Sequence, residues 1–246
     1  MPPGAQRWTF HLSGGRLCLD LANTVSWRRS AEPIERLRDY GDVLEWAQQA
    51  RVITPREART LAHAAARHPR QATAVLGRVR TLREAIYRVF AALARGQSPS
   101  PAGLALLDAE FRGALRHLGL VRGPEGFGVT WTARADALTR PLWPVVRSVA
   151  EVLTSDELGR LRTCPSANCG WIFLDTTRNG TRRWCDMRVC GNRAKARRYQ
   201  VRHRRSGRSR WLTAMRSTEG VNPVSMRRGS RADSDENSGV ASGTPR

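Results

Sequence analysis

The sequence predicts an α+β fold that is mostly α: a helical N-terminal domain with small β-strands, then a four-cysteine module built as knuckle, β-hairpin and helix, then a disordered tail. Three observations carry this. Apolar residues recur at three- and four-residue steps from Ala72 to Leu93, four of the five cysteines fall between Cys164 and Cys190, and apolar periodicity stops at about Gly207. The boundaries implied are 1–158, 159–206 and 207–246.

Taken in order, Trp8-Thr9-Phe10-His11-Leu12 alternates like a short strand and runs into the turn Ser13-Gly14-Gly15. Leu17, Cys18 and Leu21 share one face of a helix. Thr54-Pro55-Arg56-Glu57 is a sharper helix start, with Thr54 as cap, Pro55 at the first helical position and Glu57 reaching back. The strongest helix follows, with Val75, Leu76, Val79, Leu82, Ile86, Val89 and Phe90 on one face and Arg78, Arg80, Arg83 and Arg88 largely off it. Leu104, Leu107, Phe111 and Leu115 mark the next helix. Leu120-Val121-Arg122 and Phe127–Trp131 flank Gly123-Pro124-Glu125-Gly126 as a hairpin, and Val145 to Leu153 form the last helix of the domain. Trp46, Trp131 and Trp143 fall within these apolar faces and read as core. The segment after Gly207 cannot bury enough apolar surface to offset its ordering entropy.

The 246 residues carry a net charge of +21, unevenly distributed. Residues 160–216 hold 16 basic side chains against only Asp175 and Asp186, whereas residues 1–159 hold 22 against 15. Lys195 is the only lysine; the codon bias of a GC-rich genome would favour arginine over lysine, but it would not remove acids from one segment alone. A block of this kind faces a polyanion. No apolar run approaches the roughly 20 residues of a membrane span, and residues 1–8 hold no apolar signal core. The expectation is a cytoplasmic, nucleoid-associated protein whose cysteines are ligands or core residues and not disulfides.

The spacing Cys164-x4-Cys169-x15-Cys185-x4-Cys190 places two close pairs on either side of a short connector. Each pair can reach one metal from a local turn, and four thiolates leave no open position, so the site predicted is one structural Zn²⁺. The alternative is four unrelated buried thiols or two disulfides. In the connector, Trp171–Leu174 reads as a strand, Asn179-Gly180 as a tight turn and Arg182-Arg183-Trp184 as the returning strand. The module is thus a treble-clef-like four-cysteine zinc finger. After Cys190, Asn192 is a plausible cap for a helix from Ala194 to Arg205. That helix is basic on nearly every side, and Asn192, Arg193, Lys195, Arg197, Arg198, Arg202, Arg204 and Arg205 are the candidate nucleic-acid contacts. A solvated charged face is the plainer alternative.

Trp171-Ile172-Phe173-Leu174-Asp175, Arg183-Trp184-Cys185 and Cys190-Gly191-Asn192-Arg193-Ala194-Lys195 resemble the CGNR zinc finger. Gly15-Arg16-Leu17-Cys18-Leu19-Asp20-Leu21-Ala22-Asn23-Thr24 and Leu44-Glu45-Trp46-Ala47 are similar to the ABATE domain that usually precedes that finger. The resemblance spans about residues 8–206. It implies a bacterial, stress-linked transcription regulator with a sensor-like α+β domain in front of a DNA-binding finger.

Within the ABATE-like segment, Asp20, Asn23, Thr24 and Arg28 can line a small-molecule effector pocket, or they can form a hydrogen-bonded helix end; the second is the commoner fate of buried polar groups. Cys18, among Leu17, Leu19 and Leu21, reads as packing and not as a reactive thiol. The function expected is a zinc-dependent DNA-binding transcription regulator, its N-terminal domain a sensor or homodimerisation unit. An RNA- or ribosome-associated finger protein is the alternative. An enzyme using the finger for targeting is further off, because His11, His63, His68, His117 and His203 are scattered and no catalytic motif is present.

Overall fold

The computed structural model describes residues 8–203 except 125 and 133. The expected disordered tail, with Arg204 and Arg205, lies outside the described residues. Helix α1 (Leu17–Ala22) packs between α4 (Pro69–Leu93) and α6 (Leu142–Leu153), and α2 (Tyr40–Gln49) and α3 (Pro55–Arg67) close over α4 from another side. Leu19, Leu21, Leu82, Ile86, Phe90 and Trp46 are fully buried at the centre. Helix α3 starts as expected: Glu57 N donates to Thr54 Oγ1, and Thr54 N donates to the Glu57 carboxylate at 2.8 Å. Such a cap contributes about 1 kcal/mol. Helix α5 (Pro101–Leu115) lies against α4 through small residues. A Cβ on Gly103 would meet Val89 at 3.1 Å, and Leu104 and Leu115 are left exposed.

Four expectations are corrected. Residues 8–12 form no strand; the Gln49 side chain takes the place of a neighbouring strand by accepting from Phe10 N and donating to Trp8 O. The small strands of this region are instead β1 (Val25–Ser26) and β2 (Ile34–Glu35), an antiparallel pair too short to show a period. Arg83 is not on the solvent side of α4. It is buried and forms a two-pronged pair with Glu35 at 2.6 and 2.7 Å, with Glu84 bonded to its Nε. The third and fourth corrections concern the cysteine module.

The hairpin between α5 and α6 forms as read, β3 (Leu118–Gly123) against β4 (Gly126–Trp131), with Leu120 opposite Val129. Trp131 sits against Trp143, and His117 stacks on Trp143 at 4.3 Å.

In the cysteine module, β6 (Ile172–Leu174) pairs antiparallel with β5 (Leu161–Thr163), which precedes the first cysteine, and not with residues 182–184. The reason lies in Asp175. Its buried carboxylate accepts from Thr177 N and Arg182 N, holding the Asn179-Gly180 turn in an irregular loop, and Arg182 then reaches inward to the Leu174 and Ser13 carbonyls. Asn192 is not a helix cap. It is helical itself, and the chain enters α7 (192–203) through a π-helical turn, Met187–Gly191, capped by Asp186.

Of the described residues, 8–197 belong to one compact unit and 198–203 fall outside it. The cysteine module shares the core of the helical body, for Leu161, Ile172 and Leu174 belong to the same apolar cluster as α1, α4 and α6. Asn23 at the end of α1 joins them by a reciprocal pair, its Nδ2 donating to Ile172 O at 2.8 Å and its Oδ1 accepting from Ile172 N at 3.0 Å.

Candidate metal centre and nucleic-acid interface

Cys164 and Cys169 sit in the loop of the β5–β6 hairpin, which Cys164 N closes by donating to Trp171 O at 2.7 Å. The loop turns back at Gly170, whose φ of +70° suits glycine. A Cβ there would also come within 2.8 Å of the Arg29 side chain. Its carbonyl accepts from Tyr87 of α4 at 3.0 Å, which fixes the loop to the helical body. Cys185 precedes Asp186, whose Oδ1 accepts from Arg188 N and Val189 N, and Cys190 lies in the turn so formed. A Cβ on Gly191 would press on the Met187 thioether, which would have to swing aside. Asn192 Nδ2 donates to Arg188 O, and the Arg193 guanidinium lies over the Trp27 ring at 4.3 Å. Each residue of the Cys-Gly-Asn-Arg run thus has its own physical task.

The four sulfur atoms lie within 4.8 Å of one another, with Cys169–Cys185 at 3.6 Å and Cys185–Cys190 at 3.7 Å. A regular tetrahedron with Zn–S bonds of about 2.3 Å has edges of roughly 3.8 Å, so the arrangement fits one zinc ion. Disulfide bonding would need about 2.05 Å, and all five cysteines are free. Four thiols this close cannot all ionise by themselves. Contacts from Cys169, Cys185 and Cys190 hold Cys164 well below the usual thiol range, while contacts from Cys164 and Cys169 push Cys185 up. A divalent ion among them removes that conflict. The site is that of a single structural zinc, packed round by Phe173, Trp171 and Trp184.

Two side chains that sequence reasoning missed hold the site together. In the sequence Arg182 stands only as part of a returning strand, yet its side chain donates to the carbonyls of Ser13, Leu174, Trp184 and Cys185 and covers the Phe173 ring at 4.4 Å. Asp186 is the other. Its signal was present, since it is the only acid between the last two cysteines and stands just before their turn.

The polar residues of the α1 segment are engaged by the protein itself. Asp20 accepts from Gly14 N at 2.7 Å, and Thr24 Oγ1 donates to Leu21 O. Asn23 pairs with Ile172, and Arg28 pairs with Glu84, donates to Ala22 O and stacks on Tyr87. Cys18 is fully buried and its thiol is pushed up to about 12 by that burial, so it stays protonated at neutral pH.

Burial also pushes Asp20 up, to about 6, against the opposing effects of the Gly14 amide and Arg182. A carboxyl raised in the folded state is most compatible with folding below its unfolded pKa. Stability is therefore lost as pH rises from about 4 to about 6 and is level above that. Compared with the parent, Asp20→Asn is expected to gain on the order of 2–3 kcal/mol between pH 4 and pH 7. Urea unfolding of both zinc-loaded proteins across that range measures it, and an offset independent of pH would show that Asp20 ionises normally.

In α7, Arg193, Lys195, Arg197, Arg198 and Arg202 are all exposed, as are Tyr199 and Val201. No helix among the described residues is long and apolar enough to cross a membrane. The sequence matches the ABATE family, described as "Putative stress-induced transcription regulator", over residues 15–156, and the CGNR zinc finger over residues 160–203. No curated protein matches the chain.

Proposed function

Because the chain belongs to the ABATE family and carries a CGNR zinc finger behind that domain, we propose that it is a DNA-binding transcription regulator whose basic helix α7 meets the duplex. Residues 1–158 are then the sensor or homodimerisation part, and 159–206 the binding module working on the nucleoid. The observation that carries this is the exposed run Arg193, Lys195, Arg197, Arg198 and Arg202, which follows directly on a turn fixed by a metal ligand. A small-molecule effector bound by the N-terminal domain belongs to the same reading. So does a division of labour along the helix. Arg193, stacked on Trp27, positions the protein, while Lys195, Arg198 and Arg202, at three- and four-residue steps, read base edges.

The test is a binding titration with zinc-loaded protein over a range of salt. Each neutralised phosphate contributes about −0.9 to the slope of log affinity against log salt, so five contacts give roughly −4 to −5. Removing one phosphate contact lowers that slope by about one for all sequences. Removing a base reader loses about 1–3 kcal/mol at one site only. A flat salt response, or unchanged affinity after Lys195, Arg198 and Arg202 are replaced together by alanine, overturns the reading. Preference for RNA over duplex DNA transfers it to an RNA-associated role.

A further inference from the structure

Beside the metal centre is a cleft of about 130 Å³. That is too small for an ordinary ligand pocket but ample for several water-sized groups. Its walls include Trp8, Trp27, Arg36, Arg193 and the carboxylate-bearing Asp186, with three of the four sulfur ligands, Cys169, Cys185 and Cys190, forming one side. Two guanidiniums are held in place there by indole rings. Arg36 lies over Trp8 at 3.5 Å, and Arg193 lies over Trp27 at 4.3 Å. The Nε of Arg36 donates to Ser26 Oγ at 3.0 Å, which fixes the plane of its fork. Trp27 adopts a left-handed backbone, φ 56°, which is uncommon for a bulky residue and marks a turn held by its surroundings.

Among the described residues neither arginine pairs with a carboxylate. The nearest acids are otherwise engaged. Glu35, next to Arg36, pairs with Arg83 and Arg80, and Asp186 accepts from the amides of its own turn. Arg36 is held below the usual guanidinium range by burial and then by Arg38 nearby. An oriented fork without an acid is the arrangement that recognises phosphate.

We propose that this cleft is a phosphate-binding site, formed by Arg36 from the N-terminal domain and Arg193 from the finger. Its ligand is a phosphate group, carried either by a nucleic-acid backbone or by free phosphate and small phosphorylated molecules. The site rests on the cleft's own geometry and not on the DNA-binding reading.

The experiment titrates the zinc-loaded full chain with inorganic phosphate at constant ionic strength, read by tryptophan fluorescence and ³¹P NMR, with zinc per chain measured for every variant. Saturable binding is expected, weakened about tenfold or more by Arg36→Ala and by Arg193→Ala and less by Arg36→Lys, which keeps the charge but not the fork. Arg88→Ala, an equal charge change on the exposed side of α4, should leave it unaltered. A second arm measures the salt slope for a random-sequence duplex. If Arg36→Ala lowers that slope by about one, the phosphate is that of the nucleic acid. If it leaves the slope unchanged while inorganic phosphate binding is lost, the ligand is a free or small-molecule phosphate. Non-saturable phosphate binding, or equal affinity in the parent and both alanine variants, overturns the site. So does loss of zinc in those variants with undiminished phosphate affinity in the zinc-loaded fraction, because the arginines would then serve only to balance the thiolates.

Discussion

Serine at any one of Cys164, Cys169, Cys185 or Cys190 is expected to abolish stoichiometric zinc and unfold the loops that carry the ligands. The ion replaces mutual repulsion among four thiolates by four bonds, and structural zinc in small finger peptides is worth about 10–16 kcal/mol at neutral pH. Whole domains are stable by only about 5–15 kcal/mol, so the loss is of the same order as everything that holds the chain folded. The effect should extend beyond the ligands, because Leu161, Ile172 and Leu174 share the core of the helical body. Zinc content, circular dichroism and amide exchange measure it. Protection should vanish from 164–191 and weaken in α1. A serine variant that keeps one zinc per chain and unfolds at the parental temperature would refute the four-ligand site.

Asn23→Ala is expected to be among the more damaging single changes outside the metal ligands. It strands two buried backbone groups at once, the N–H and the C=O of Ile172. Each unsatisfied group costs about 1–3 kcal/mol, so the pair is worth roughly 2–6. For a chain of this size, at about 2–4 °C per kcal/mol, that lowers Tm by roughly 4–24 °C. Asn23→Asp should not rescue it, since a carboxylate can accept from Ile172 N but cannot donate to Ile172 O. Urea midpoints and thermal unfolding of zinc-saturated protein decide the matter. A loss below about 0.5 kcal/mol would mean that water replaces the amide.

What the sequence reveals here follows its periodicities. The apolar stripe of α4, the capping box of α3 and the β3–β4 hairpin are local patterns, and they form where they were expected. The four cysteines were legible for a related reason, since paired spacing states a geometry directly. The partner of β6 was not legible. Residues 182–184 and 161–163 are both plausible strands, and the choice depends on one buried carboxylate, Asp175, that organises the loop between. Arg83 misled because a charge on an apolar helix reads as solvent-facing unless its acid, Glu35, is known to lie 48 residues away in space beside it. The same holds for Asn23, whose partner is 149 residues distant. Long-range polar pairs have no period to detect.

The reciprocal amide pair at Asn23 has a thermodynamic consequence. Anything that binds the folded helical body more tightly than the unfolded one must raise the apparent affinity for zinc, and zinc must raise the affinity for it by the same factor. Metal binding and the folding of the helical body are therefore one coupled equilibrium, and a mutation in the shared core moves both.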